Sequence, residues 1–497
     1  MKFILSLDQG TTSSRAIIFN EKAEIVSVGQ KEFRQIFPRP GWVEHDANEI
    51  WETQIASARE ALQKANISWG EVSAVGIANQ RETVVAWHRE TGEPVANAIV
   101  WQDRRTTEYC NALKSDGKES WIQSKTGLLL DPYFSGTKIK WLLDENPEIM
   151  KLAEADLLAI GTIDSWLVWK LSDGASHVTD VSNASRTLLM NLQTCAWDRE
   201  LLDLFGTGES LLPRIVDSSG DLAETSASVT EVSVPITGIL GDQQAALFGQ
   251  ACFEPGMVKN TYGTGCFILM NVGETPAVSE HKLLSTVAWR VKGKAEYALE
   301  GSVFIGGALV QWLRDELNII ESASEVESLA AEVEDSGGVT IIPAFSGLGA
   351  PYWDPYARGA ILGLTRGSSR AHIARAALEG IAYQVADVAQ AMENDSGRRL
   401  ESIQADGGAS ANGILMQTQA DLLGARVRCS QIAETTALGA AFMAGLAVGY
   451  WKSRSELAGL WQERQRFNPM ADAQDRKRKL ARWRRNVARV RDYERPD

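Results

Sequence analysis

The chain has 497 residues, of which 44% are hydrophobic and 23% charged, and its net charge is −14. That length exceeds what one growing core accommodates, which predicts two domains of ordinary globular composition. The acidic balance argues against a general nucleic-acid or anionic-membrane surface.

Five scattered cysteines (Cys110, Cys195, Cys252, Cys266, Cys429) form no CxxC pair, which predicts buried thiols in a reducing compartment. No run approaches the roughly 20 apolar residues of a membrane span. The first apolar run ends at Asp8, too early for a secretion signal, so a cytoplasmic location is expected.

Residues 3–30 predict a strand, a small-residue turn and two further β-runs. The turn, DQGTTSSR, joins a carboxylate, a glycine, four hydroxyls and an arginine. Gly10 allows close backbone approach, and successive N–H groups there can cradle phosphate oxygens. The hydroxyls of Thr11, Thr12 and Ser13 add donors, and Arg15 adds a cationic fork. Asp8, at the strand's end, is placed to hold the Mg²⁺ that accompanies nucleotide phosphates. A plain polar hairpin is the competing reading; the flanking acid and arginine favour the phosphate loop.

Asp46 and Glu49 have capping-box spacing and open a helix through Leu62. Residues 72–88 read as strand, polar turn, strand. In that turn Arg81 and Glu82 offer a donor fork beside an acceptor, suited to the hydroxyls of a neutral polyol. The plainer alternative is a surface ion pair. Trp101, Tyr133 and Phe267 suit the carbon side of such a site, although single aromatics are more often core.

Residues 234–250 predict an apolar strand, a Gly-Asp turn and a short helix. Asp242 in that turn is either the helix N-cap or a general base for an alcohol attacking a γ-phosphate; the roles are compatible. The Pro- and Gly-bearing segment 253–260 marks the domain boundary. Beyond it, residues 259–271 repeat a strand–turn–strand around Gly263, Thr264 and Gly265, a second phosphate-facing turn. A long helix is predicted from Arg370 to Met392. Gly407 and Gly408 precede another helix and suit approach by an adenine or ribose, with Asn412 in reach. Residues 434–449 are apolar on nearly every face and are expected between layers. The basic segment 476–491 carries Leu480, Trp483, Val487 and Val490 at helical spacing, which predicts a surface helix packed by that stripe.

These motifs resemble a known family. DQGTTSSR, PGWVEHD, NQRETVVAW, AIVWQDRR, SNASRT, GDQQAALFGQ, KNTYGTGCFILMN and ALEGSVFIGGALVQWLRDE stand in family order. So do the broad signatures YFSGTKIKWLLDE and GAILGLTRGSSRAHIARAALE. The chain resembles the FGGY family of carbohydrate kinases over nearly its whole length. Its NQRE, DPYFSGTK and GDQQ turns resemble those of the glycerol kinases in particular.

The resemblance implies an α/β fold of two ribonuclease H-like domains (actin/hexokinase/Hsp70 ATPase-type) with a cleft between them. It places an N-terminal domain at 1–252, a nucleotide-binding domain at 253–450 and a helical extension at 451–497. It implies ATP-dependent phosphorylation of glycerol to sn-glycerol 3-phosphate, the first step of glycerol catabolism, with a pentulose or other polyol kinase as nearest rival. Glycerol would be bound by Arg81, Glu82, Tyr133, Asp242 and Gln243, walled by Trp101 and Phe267. ATP would be bound by Thr11, Thr12, Ser13, Arg15, Thr264, Gly307, Gln311, Gly408 and Asn412, with Mg²⁺ on Asp8 and Asp242 as the base. A homo-oligomer of two or four copies without membrane insertion is expected. Residues 224–238 lack the arginine and the histidine through which some relatives are regulated.

Overall fold

Leu5, Leu7, Ala16, Ile18, Val75 and Ile77 face one side of a sheet; Ile4, Ile17, Phe19, Ala74 and Ala78 face the other. Strand side chains alternate, so a sheet whose strands are apolar on both faces must be covered twice. The computed structural model describes residues 2–495. In it the helix Ala47–Ala65 covers the first face through Ile50, Ile55, Ala58 and Leu62. The helices Asp242–Gly249 and Thr435–Ala447 cover the second through Leu247, Phe248, Leu438 and Ala441. The apolar segment expected between layers lies there.

Thirteen strands among the described residues form one continuous sheet, and it runs the same path twice. In the first half Phe3–Gln9, Ser13–Phe19 and Ile25–Glu32 form an antiparallel meander, and Val72–Asn79 then Pro235–Gly241 add parallel to the first strand. In the second half Val258–Tyr262, Cys266–Gly273 and Lys294–Val303 repeat the meander, and Ser402–Asp406 then Arg426–Ser430 add parallel. The two glycine–threonine turns of the sequence are therefore the first hairpins of two like units. Between the halves the sheet narrows to one strand pairing, Ser219 with Val291.

Local signals act mostly as expected. Asp46 accepts from the amides of Asn48 and Glu49, but Glu49 does not complete the capping box: its carboxylate takes the Arg34 amide at 2.9 Å and ties the helix to the chain before it. The C-terminal helix Ala473–Val487 buries Trp483 and Val487 and stacks Trp483 on Tyr383, so its apolar stripe is a packing face.

Two glycines set how the helix bearing Asp242 sits. A methyl at Gly439 would fall on the Ala245 carbonyl oxygen, and one at Gly249 on that of Thr435. The helices Asp242–Gly249 and Thr435–Ala447 thus touch backbone to backbone. Gly439→Ala is expected to cost about 3 kcal/mol of stability by forcing them apart. It should lower turnover too, because Asp242 rides on the displaced helix. Urea midpoints with a parallel rate measurement check both; an unchanged midpoint contradicts the close contact.

Candidate active site

The strands Phe3–Gln9, Val72–Asn79 and Pro235–Gly241 run parallel, and their register sets Gln9, Asn79 and Gly241 in one row. The phosphate-like turn, the Arg81–Glu82 turn and Asp242 therefore leave the sheet at the same carboxyl edge, where open α/β sheets bind ligands. Asp242 is the first residue of its helix, and Gly241, not Asp242, is the N-cap; the Asp242 carboxylate accepts from the Gln243 amide at 2.7 Å and stays partly exposed.

Arg81 is buried and reaches four partners besides the adjacent Glu82, whose Oε1 lies 3.7 Å from its Nε. Its Nε lies 3.1 Å from Asp242 Oδ1, Nη1 donates to Gln244 Oε1 at 3.1 Å, and Nη2 donates to Tyr133 Oη at 3.3 Å. Both terminal nitrogens also donate to Glu300, at 2.5 and 2.9 Å. Glu82 beside it has φ of 61°, a left-handed conformation that is uncommon for a non-glycine residue and marks sites under external constraint. Its carboxylate takes Arg186 Nε at 2.6 Å. Arg81 and Glu82 are thus no surface ion pair: both are fully enclosed.

Electrostatics follow from that enclosure. Burial alone would raise Glu300, but Arg186 and Arg81 hold it down to about 2. Burial pushes the Asp242 carboxyl above its ordinary range, opposed by Arg81 and Lys259. Asp8 is pushed up to about 7 by burial and by nearby Glu434 and Asp242, with Arg15 opposing. Lys259, buried and lowered to about 8 by desolvation, donates to Gln243 Oε1 at 2.5 Å and to Thr261 Oγ1 at 3.0 Å.

The hairpin is braced from outside. Trp101 Nε1 donates to Thr11 Oγ1 at 3.0 Å, and the Trp101 ring meets Tyr133 edge to face at 5.6 Å. Thr12 is exposed, and Ser13 Oγ accepts only a long bond (3.3 Å) from Gln30. Arg15 pairs with Glu434, at the start of the helix Thr435–Ala447, so its fork already faces a carboxylate.

Gln35 Nε2 donates to Thr11 O at 3.0 Å, and Gln35 Oε1 accepts from His45 Nε2 at 2.7 Å. His45 Nδ1 is buried without a partner among the described residues, which fixes the neutral Nε2–H tautomer. Desolvation lowers His45 to about 4. Its folded value lies below the unfolded 6.5, so the stability it carries is complete above pH 6.5 and is lost as pH falls toward 4. At pH 5 that loss is about 2 kcal/mol, and His45→Gln should remove that part of the acid slope. Urea titrations at pH 7 and pH 5 read it directly; an identical slope in both proteins refutes the assignment.

In the second half Gly263, Thr264 and Gly265 close the hairpin between Val258–Tyr262 and Cys266–Gly273. The amides of Gly306 and Ala308 donate to Thr264 O, and that of Gly307 to Gly263 O, so Thr264 and Gly307 are adjacent. Gln311 follows one turn on, exposed, in the helix Ala308–Asp315. Gly407 has φ of 82° and a side chain there would strike the Tyr262 backbone, whereas Gly408 faces open space. Asn412 caps the helix Gly413–Leu423 through Leu415 N at 2.9 Å. Phe267 stands on the second hairpin opposite Thr261 rather than in the Trp101–Tyr133 ring pair.

Sequence reasoning missed Glu300, Arg186, Lys259 and Glu434. Each partners an expected site residue from elsewhere in the chain: Glu300 and Lys259 join the second half to Arg81 and Gln243, and Glu434 joins it to Arg15. Glu300 carried one signal, the single carboxylate in the run YALEGSV, the buried part of the strand Lys294–Val303.

Comparisons with known proteins agree with this geometry. Residues 3–249 match the N-terminal domain, and residues 258–448 the C-terminal domain, of the FGGY family of carbohydrate kinases. A glycerol kinase of Deinococcus radiodurans is 57% identical over 99% of this chain and 98% of its own length. Glycerol kinase 2 of Thermotoga maritima is 55% identical over 99% of this chain and all of its own. The crystal structure of Plasmodium falciparum glycerol kinase with ADP superposes with a TM-score of 0.93 at 38% identity, covering 99% of this chain and 98% of that one. Gluconate kinase from Lactobacillus acidophilus shares the fold with a TM-score of 0.89 at 23% identity, covering 99% of each chain. With both family domains matched in order over the two halves of one sheet, this chain belongs to the FGGY family of carbohydrate kinases.

Proposed function

We propose that this protein transfers the γ-phosphoryl group of ATP to glycerol, giving ADP and sn-glycerol 3-phosphate. The observation that carries this reading is the Arg81–Glu82–Asp242–Tyr133 cluster at the carboxyl edge of the sheet, where the buried Arg81 and Glu82 meet the partly exposed Asp242 and Tyr133 and together offer donors and acceptors in a small site. The full-length likeness to glycerol kinases supports the choice of acceptor.

Arg81 and Glu82 grip neighbouring hydroxyls, Gln243 lies beside them, and Trp101, Tyr133 and Phe267 wall the carbon chain. The attacking hydroxyl gives its proton to Asp242, whose raised carboxyl is a better acceptor than an exposed aspartate. The amides and hydroxyls of Thr11, Thr12 and Ser13 receive phosphate oxygens from one side and Thr264 from the other. Arg15 exchanges Glu434 for phosphate. Gly307, Gln311, Gly408 and Asn412 hold the nucleotide, with Gly408 leaving room for it.

Among the described residues no group of three His, Cys, Asp or Glu side chains could hold a metal unaided. Mg²⁺ is commonly bound by one or two carboxylates together with substrate phosphates, and Asp8 would supply a carboxylate here. Bound there, the ion would offset charge on the transferring phosphoryl group. Transfer is direct and in line, with no covalent enzyme intermediate.

The five cysteines are all free and buried, which supports work in the reducing cytoplasm, and no described helix is long and apolar enough to cross a membrane. We place the domain division at residues 253–260, treat 451–497 as an extension, and expect a dimer or tetramer on sizing.

The test is an acceptor panel in an ADP-release assay: glycerol, xylulose, ribulose, gluconate and glycerol analogues. Glycerol should give the highest kcat/KM. A pentulose preferred over glycerol would refute the substrate assignment.

A further inference from the structure

Arg81, in the turn after the strand Val72–Asn79, is oriented from the other half of the chain. Glu300, on the strand Lys294–Val303 and 219 residues away, receives both of its terminal nitrogens. Arg186 donates from Nη2 to Glu300 Oε1 at 3.0 Å and from Nε to Glu82 Oε1 at 2.6 Å, so it ties the two carboxylates together. Arg186 and Glu300 have no exposed surface, and Arg186 Nη1 is buried without a partner among the described residues. Two guanidinium groups and two carboxylates therefore cancel within one enclosed cluster. At its edge Asp242 faces Arg81 Nε at 3.1 Å, and Lys259 bonds the adjacent Gln243.

We propose that Glu300 is the positioning residue of the acceptor site. It holds Arg81 directly, and Glu82 through Arg186, in the orientation that receives hydroxyls, and by offsetting the charge of the two arginines it selects a neutral polyol over an anionic one. An acceptor carrying a phosphate or carboxylate would add an uncompensated charge to a cluster that is already neutral, at a cost that buried charges impose steeply. The acceptor site is then completed by a residue of the nucleotide-binding half. This inference rests on the glycerol reading.

The experiment is steady-state kinetics on the full chain with Glu300→Gln and Glu300→Asp, recording the KM for glycerol, the KM for ATP and the thermal midpoint. Charge-assisted bonds of this kind predict a glycerol KM raised about 100-fold in Glu300→Gln and about tenfold in Glu300→Asp, with the ATP KM within about twofold. A glycerol KM unchanged within twofold in either folded variant overturns the proposal. So does a parallel loss of glycerol and ATP affinity with a fallen midpoint, which a merely structural tie would produce. If Glu300→Gln does not fold, Glu300→Asp decides, because it keeps the charge and shortens only the reach. Should the wild type prefer another acceptor, the substrate reading fails on the wild type alone, and the same KM split measured with that acceptor still tests Glu300.

Discussion

Asp242→Asn is expected to lower kcat for glycerol phosphorylation by about 10³-fold while ATP still binds. The substitution is close to isosteric. The Asn carbonyl oxygen can still accept from the Gln243 amide, and it still faces Arg81 Nε, which lies 3.1 Å from Asp242 Oδ1 and is held independently by Glu300. The helix start and the arginine therefore stay in place, and what disappears is the ability to take a proton. Calorimetric titration with ATP and a rate assay at saturating glycerol separate binding from chemistry. A kcat within tenfold of wild type would remove Asp242 from the base role.

Arg81→Met should be the most damaging single change to stability, about 3–5 kcal/mol, with glycerol binding lost. It strips the shared counter-ion from Glu82, Glu300 and Asp242 at once, leaving Arg186 to face two buried carboxylates. Arg81→Lys keeps the charge but replaces a planar fork with a point, so it should recover much of the stability and little of the glycerol affinity. Urea midpoints and glycerol titrations on the two variants read the two effects apart. Equal loss of both properties in Arg81→Lys would mean that geometry matters to the fold as much as to the ligand.

What was legible in the sequence was local. A strand that alternates into Asp8, breaks at Gly10 and resumes can be read from spacing, because turn chemistry and strand period act over a few residues. The stripe of Leu480, Trp483, Val487 and Val490 gave a packing face for the same reason. The turns proposed for glycerol and nucleotide came into view through resemblance to a family, since a Gly-Gly before a helix or an Asp after a strand has ordinary uses; Asn412 in fact caps its helix.

What was hidden is non-local. Glu300 meets Arg81 across 219 residues, and Glu434 meets Arg15 across 419. Nothing in the spacing around either carboxylate says which arginine it will find. That pairing is decided by the order in which strands enter the sheet. Glu49 shows the same limit at short range: its spacing promised a capping box, and a neighbouring amide claimed it instead.

The single pairing of Ser219 with Val291 has a mechanical meaning. Six strands lie on one side of it and seven on the other, and each slab is stiffened by full ladders of main-chain bonds. At the joint the Ser218 amide on the Arg290 carbonyl, 2.8 Å, adds one more rung. Such a joint resists stretching but yields to torsion. Side chains that span it help to hold the resting twist between the slabs, among them Arg81 with Glu300, Arg15 with Glu434, and Gln250 with Asp406, beside the shared apolar core of Phe248 and Trp289. Two of those three ties use arginines assigned to substrates, so a ligand that recruits them re-sets the twist without unzipping a strand.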